Sequence, residues 1–258
     1  MYNNKFLNKL DHYQIPEFVD VYDTLNQFAD DTKFYIDLVN ELDPNKILDI
    51  GCGTGFLTSH LIDTKRGVFG LEPAKLMIDK ARENFKDLNI TWLEGFSSDY
   101  VDDYSGNMDL VIMTGHVSQV FIDNDTWLGV LNDVNRFLEK DGIFVFEMRN
   151  AFVKPWENWR GDVTVKKDPK HGEFEFSVET INFDEEKVVV EYQGKCKFLD
   201  SSNKTYTHDD VLKFRTLDEL KDSLYKNGFK VLEVYGNWDK SKFDENSSPE
   251  IIIKAQKR

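Results

Sequence analysis

Two cysteines, Cys52 and Cys196, are all that 258 residues contain. They supply neither a disulfide framework nor a zinc-ligand spacing, so the chain reads as one suited to a reducing compartment, the cytoplasm. No apolar run approaches the roughly 20 residues that cross a bilayer. The N-terminal stretch MYNNKFLNKLDHYQIPEF has none of the uninterrupted hydrophobicity of a signal peptide. Basic runs are missing too: none exceeds two residues, as at Lys166-Lys167, ended at once by Asp168, in a chain of net charge −15. Proteins that grip a phosphate backbone usually carry a basic patch, because Lys and Arg release its condensed counterions. The acidic balance therefore disfavours nucleic acid and favours small or basic partners. Internal repeats and low-complexity tracts are also absent, and nothing in the sequence sets an oligomeric state.

What is present suits a packed enzyme-sized chain. Hydrophobic residues make up 40 % and aromatics 14 %, too rich for disorder and enough for one large domain with a smaller insertion. Residues 1–30 mix aromatics and acids without sustained periodicity. Phe34, Leu38 and Leu42 then recur at helical spacing until Asp43-Pro44-Asn45 breaks it. Short apolar runs at 47–50, 68–71, 90–93, 109–113 and 143–146 read as buried strands. Met77, Ala81 and Phe85 mark one intervening helix; Trp127, Leu131, Val134 and Leu138 mark another. Such alternation predicts a doubly wound α/β fold, a mostly parallel sheet covered on both faces.

Near Asn150 the rhythm changes. Phe174, Phe176 and Val178 alternate with polar residues, as do Val188, Val190 and Tyr192, the period of half-buried strands. Asp184-Glu185-Glu186 and Ser201-Ser202-Asn203 supply turns. Residues 151–214 are thus expected to form an antiparallel β meander inserted into an α/β domain made of 31–150 and 215–258. Helical spacing returns at Leu217, Leu220 and Leu224 and ends at Asn227-Gly228. Two last strands are expected at 230–234 and 251–254.

The strongest local signal is Ile47-Leu48-Asp49-Ile50-Gly51-Cys52-Gly53-Thr54-Gly55. Glycines between a buried strand and a helix let the backbone approach a ligand. Glu72 ends the next strand about twenty residues on, where an acid can accept both hydroxyls of a ribose. A dinucleotide fingerprint would place its third glycine where Phe56 stands, and a P-loop would end in Gly-Lys-Ser/Thr, which is missing. Asp49 would repel a pyrophosphate but suits a ligand bearing an ammonium and a sulfonium.

The run Asp49 to Gly55, with Glu72 after it, resembles the first two motifs of class I S-adenosylmethionine-dependent methyltransferases. The likeness spans roughly residues 30–150 and 215–258. It implies that Asp49 and the Gly51 backbone hold the methionine ammonium, that Gly53 admits the cofactor, and that Glu72 takes the ribose diol. By the same likeness, Thr114 and Gly115 pass beside the methionine part. The family often has an acid after the third strand; here the sequence is Glu94-Gly95-Phe96-Ser97, so Phe96 would stack on the purine while the Ser97 backbone meets its edge. Cys52 is expected only to pack beneath the loop.

Displacement at a sulfonium needs alignment and exclusion of water more than a fixed catalytic set. Several acceptor signatures are missing. There is no Asn/Asp-Pro-Pro-aromatic after the fourth strand, where Met113-Thr114-Gly115-His116 stands. Neither cysteine is placed to attack a cytosine. Of the acids and amide of the Mg²⁺-dependent catechol type, only Asn150 has a counterpart, so no metal is expected. The acceptor-side candidates are His116 and Arg149, as base or substrate contact, with Tyr22, Trp156 and Trp159 as further contacts. Each has a plainer alternative. His116 could bond a neighbour, Arg149 could pair with Glu147, the two tryptophans could pack the insertion, and Tyr22 could lie in a helix merely packed on the sheet rather than in a lid formed by residues 1–30. The segments around His116, Arg149 and Trp156, with Tyr235-Gly236-Asn237-Trp238-Asp239, resemble uncharacterised bacterial class I methyltransferases. The expectation is methyl transfer to a small molecule, with tRNA or protein methylation and a non-catalytic cofactor-binding module as rivals.

Overall fold

The computed structural model describes residues 11–200 and 203–258; Ser201 and Ser202 of the expected turn and residues 1–10 of the leading segment lie outside them. Helices are α1 (Pro16–Leu25), α2 (Asp30–Leu42), α3 (Phe56–His60), α4 (Lys75–Asn84), α5 (Ser97–Tyr100), α6 (Asn124–Phe137) and α7 (Leu217–Lys226). Strands are β1 (Lys46–Ile50), β2 (Gly67–Glu72), β3 (Ile90–Glu94), β4 (Met108–Met113), β5 (Leu138–Arg149), β6 (Thr164–Asp168), β7 (Gly172–Asp184), β8 (Val189–Phe198), β9 (Thr205–Lys213), β10 (Phe229–Tyr235) and β11 (Glu250–Lys257).

The main sheet has the order β10-β11-β5-β4-β1-β2-β3. Strands β1 to β5 pair in parallel, and β11 runs antiparallel to β5 and β10. Period-two alternation sorts its side chains into two layers. Leu48, Val111, Phe144 and Phe146 face α6 and α7, meeting Trp127, Leu131, Leu220 and Leu224. Ile47, Leu110, Ile112 and Val145 face the other way, onto Phe34, Leu38 and Val39 of α2. Each such fully buried side chain contributes about 1.5–3 kcal/mol of transfer free energy. The chain order reverses between β1 and β4, and at such a switch point the loops diverge and leave a crevice at the carboxyl ends of the strands.

The second sheet, β6-β7-β8-β9, is antiparallel throughout. Its inner face carries two apolar clusters. Phe174, Cys196 and Phe198 pack on Phe18 and Val21 of α1, while Val190, Leu212 and Phe214 enclose Trp156. Helix α1 is therefore held on both sides, since its Val19 packs on Ala74 and Met77 at the start of α4. Asp20 fastens the same junction, accepting from Lys80 Nζ of α4 at 2.9 Å and from Lys170 Nζ, between β6 and β7, at 2.6 Å. His171 Nε2 lies 2.9 Å from the same carboxylate. No helix among the described residues is long and apolar enough to cross a membrane.

Candidate functional site

Strand β1, central in the sheet, delivers the buried Asp49 to the crevice, and the glycine turn follows at once. Gly51 and Gly53 both take positive φ, 78° and 58°, a region that side chains with a Cβ rarely enter. Gly51 also lies against Val117 from the turn after β4, where an added Cβ would sit only 2.5 Å from a valine methyl. The two loops on either side of the switch point therefore meet. Around Gly53 there is room: the nearest neighbours of an added Cβ would be Met77 at 3.4 Å and Tyr22 at 3.8 Å.

Glu72 ends β2 and is 7 % exposed. Its Oε2 accepts from the Gly53 N–H at 3.1 Å and its Oε1 from the Ala74 N–H at 2.8 Å. These bonds fix the carboxylate against the glycine turn and leave a lone pair on each oxygen for a pair of hydroxyls. Asp49 is buried, and its Oδ2 accepts from Thr58 Oγ1 at 2.7 Å. Its Oδ1 is buried with no hydrogen-bond partner among the described residues. An orphaned buried carboxylate oxygen suits a cation, because leaving it unpaired costs about 1–3 kcal/mol or more. Burial pushes the carboxyls of both Asp49 and Glu72 up to about 7. Burial also pushes the Cys52 thiol up, so it stays protonated beside Gly70.

Other residues singled out from the sequence fall around this centre. Phe96 and Ser97 follow β3, with the Phe96 N–H donating to Asp99 Oδ2 at 2.8 Å and the Ser97 hydroxyl to Asp133 Oδ2 at 2.7 Å. Thr114 and Gly115 leave β4, and the Thr114 carbonyl accepts from the Val117 N–H at 3.3 Å. His116 adopts φ 60°. Its N–H donates to Glu147 Oε1 at 2.7 Å, and its Nε2 lies 3.0 Å from Glu250 Oε2. Glu147 also accepts from the Tyr35 hydroxyl, and burial lifts its carboxyl to about 7.

Tyr22 of α1 lies over Gly53. Burial, then the nearby Glu72 and Asp23 carboxylates, push its hydroxyl well above the usual phenol range. The next residue, Asp23, accepts from the Thr54 hydroxyl in the glycine turn. Arg149 at the end of β5 does not pair with Glu147. Its Nη1 donates to Gln119 Oε1 at 3.0 Å and its guanidinium lies 5.7 Å from the Trp159 ring centre; among the described residues it makes no ion pair. The expectation that Trp156 contacts an acceptor meets a different placement: it is 5 % exposed, stacked on Phe183 at 4.6 Å and edge-on to Phe214 at 4.7 Å. Its ring packs the second sheet because β7, β9 and the residues just past β9 close over it.

Sequence reasoning misses the polar residues at the inner face of the second sheet. Tyr13, His12, Tyr192, His208 and Asp210 stand between the two apolar clusters of the second sheet. Tyr13 is near enough to Tyr22, Tyr192, Asp210 and Glu72 for their fields, after burial, to raise its hydroxyl. Tyr192 donates to Asp210 Oδ2 at 3.2 Å. The signal that could have found them is the alternation of His208 and Asp210 along one strand face.

A methyltransferase-domain family matches residues 47–142, the span from β1 to the start of β5. A putative methyltransferase of Geobacillus sp. (strain WCH70) is 23 % identical over 220 residues, which is 81 % of this chain and 83 % of that protein. Among solved structures, an S-adenosylmethionine-dependent methyltransferase from Clostridium acetobutylicum ATCC 824 superposes with a TM-score of 0.75 at 17 % identity, covering 93 % of this chain and 98 % of that one. An amino pentose methyltransferase from Micromonospora echinaspora involved in calicheamicin biosynthesis, solved with S-adenosylmethionine bound, gives 0.72 at 15 % identity, covering 92 % and 95 %. The glycine turn and the acids of β1 and β2 fall inside the matched span: residues 47–142 form a methyltransferase domain, on a fold shared with S-adenosylmethionine-dependent methyltransferases.

Proposed function

We propose that this methyltransferase acts on a small molecule held between the glycine turn and the inner face of the second sheet. In this reading Asp49 Oδ1 and the Gly51 carbonyl take the methionine ammonium of S-adenosylmethionine, beside Thr114 and Gly115. Glu72 takes the ribose diol, Gly53 gives the close approach, and Phe96 and the Ser97 backbone take the adenine. When bound, the cofactor would supply an electrophilic methyl carbon on a sulfonium, open to in-line attack by the acceptor's nucleophile as the C–S bond breaks and the neutral thioether leaves. The protein's part is to align that nucleophile and keep water out.

The observation that carries the reading is Tyr22 on Gly53. It belongs to a helix packed at once on α4 and on the second sheet. Residues 11–30 then act as a lid, and residues 151–214 as a roof over the acceptor. A site closed from above by Tyr13, Tyr22 and Tyr192, with Arg149 and Trp159 at its edge, suits a compact acceptor better than a polymer. The amino pentose methyltransferase of similar fold acts on a small molecule and supports the same choice.

The test is a metabolite extract incubated with the protein and methyl-labelled cofactor, followed by mass identification of the labelled product. Label in a low-mass compound is the expected result. Label found only in RNA or protein overturns the small-molecule reading.

A further inference from the structure

Between the two apolar clusters on the inner face of the second sheet lies a polar cluster whose chemistry methyl transfer does not require. Register pairs Tyr192 with Asp210 and Gly194 with His208 across β8 and β9. All four therefore share the inner face. Gly194 makes the space for the imidazole: a Cβ there would lie 2.1 Å from His208 Cε1 and 2.4 Å from its Nε2. On its other side the His208 ring stacks on His12, centroids 4.0 Å apart and planes 14° from parallel. Both rings turn the same atom toward one carboxylate oxygen, with His12 Nε2 and His208 Nε2 each 3.6 Å from Asp210 Oδ2.

Those distances are too long for direct hydrogen bonds. They are close to the spacing of ligands around an ion: with tetrahedral bonds of about 2.0–2.1 Å, neighbouring ligand atoms stand roughly 3.3–3.4 Å apart. The ligand atoms of all three residues lie within 4.8 Å of one another. The Tyr192 hydroxyl, bonded to Asp210 Oδ2, gives the carboxylate the kind of supporting partner that holds a ligand in place.

We propose that His12, His208 and Asp210 bind one divalent transition-metal ion of the Zn²⁺ or Co²⁺ type where the N-terminal segment meets the second sheet. Two imidazoles and one carboxylate suit borderline ions and not Mg²⁺ or Ca²⁺, which seek oxygen ligands. Three protein ligands leave a position for water or another donor. Such a site does not depend on which acceptor the enzyme uses.

The test uses the chelator-treated full-length protein with metal alone. Zn²⁺ titrated by calorimetry is expected to bind at one equivalent, and Mg²⁺ not at all. Co²⁺ is expected to develop visible absorption as the two rings splay from their stack around it. His12→Gln, which changes only the N-terminal segment, and Asp210→Asn should each weaken Zn²⁺ at least ~10-fold, since even supporting residues around a metal cost about 10–100-fold. His60→Ala, remote from the cluster, should bind as the wild type does. Circular dichroism and S-adenosylmethionine binding report whether each variant is folded. No stoichiometric Zn²⁺ binding by the wild type overturns the proposal, as does unchanged affinity in folded His12→Gln and Asp210→Asn.

Discussion

On the proposed reading, Glu72 serves the cofactor and Arg149 the acceptor, and single substitutions separate the two roles. The Glu72 carboxylate is already aimed by two backbone N–H groups, so hydroxyls reaching it would form charge-assisted bonds of roughly 1.5–3 kcal/mol each. Glu72→Ala is expected to weaken S-adenosylmethionine binding at least ~10-fold, equivalent to one such bond. Arg149 sits at the end of β5 against Gln119 and Trp159. Arg149→Ala should keep cofactor affinity within a few-fold and lower turnover once an acceptor is in hand. Calorimetry on the two variants decides it. A loss of cofactor binding in Arg149→Ala would move the boundary between the two halves of the site.

At the scale of elements, α1 joins the two sheets through Asp20. Burial works against its charge, but hydrogen bonds from Lys170, His171 and Lys80 outweigh burial and hold its carboxyl far below the usual range. A depressed carboxyl contributes stability above the unfolded pKa of about 3.9 and loses it as pH falls. Asp20→Asn keeps the shape and removes the charge. It is expected to lower the Tm at pH 7 by about 2–4 °C per kcal/mol lost, and to cost only somewhat less at pH 3, where the folded carboxyl is still charged. Equal Tm values at pH 7 would mean that the apolar contacts of Phe18, Val19 and Val21 hold α1 unaided.

Helix α1 also marks where the sequence stops being legible. The parallel strands announce themselves because both faces are buried and the runs are apolar, as in the last four residues of Met108–Met113. By contrast α1 has ten residues, Ile15 in place of a capping side chain, and apolar positions split between two packing partners. No single stripe forms. Strand β6 escapes notice because Thr-Val-Lys-Lys-Asp is a mostly exposed edge, where charge is expected and hydrophobic alternation is not. The start of β5 reads as helix since Leu138 continues the stripe of Trp127, Leu131 and Val134; the chain turns instead through Asp141 at φ 64°. The glycine turn is legible because its chemistry needs adjacent residues. The cluster of His12, His208 and Asp210 is not, since its members come from opposite ends of the chain.

For the molecule as a whole, three buried carboxyls set the pH response. Asp49, Glu72 and Glu147 are each lifted to about 7 by burial. A folded pKa above the unfolded value means the folded state binds the proton more tightly, so stability is lost as pH rises toward 7 and beyond the unfolded pKa. Between pH 6 and 8 each carboxyl removes about 1–1.5 kcal/mol. The opposing contribution comes from His12 and His208, neutral in the fold across that window. Their unfolded forms take up protons near pH 6.5, so each adds somewhat less than about 1 kcal/mol over the same range. The three carboxyls together outweigh the two imidazoles, and the net charge of −15 adds self-repulsion in the same direction. The cofactor-free protein is therefore expected to melt higher at pH 6 than at pH 8. Salt should remove only the surface part of the difference, because buried charges are weakly screened. On the proposed binding mode the cofactor would invert the sign at Asp49 and Glu72, since an ammonium and a diol favour their charged forms. The rise in Tm produced by saturating S-adenosylmethionine should be larger at pH 8, with affinity climbing about 10-fold per linked carboxyl from pH 6 to 8. Thermal unfolding with and without cofactor at the two pH values measures both. An affinity that is flat across the window would show that neither carboxyl changes its proton when the cofactor binds.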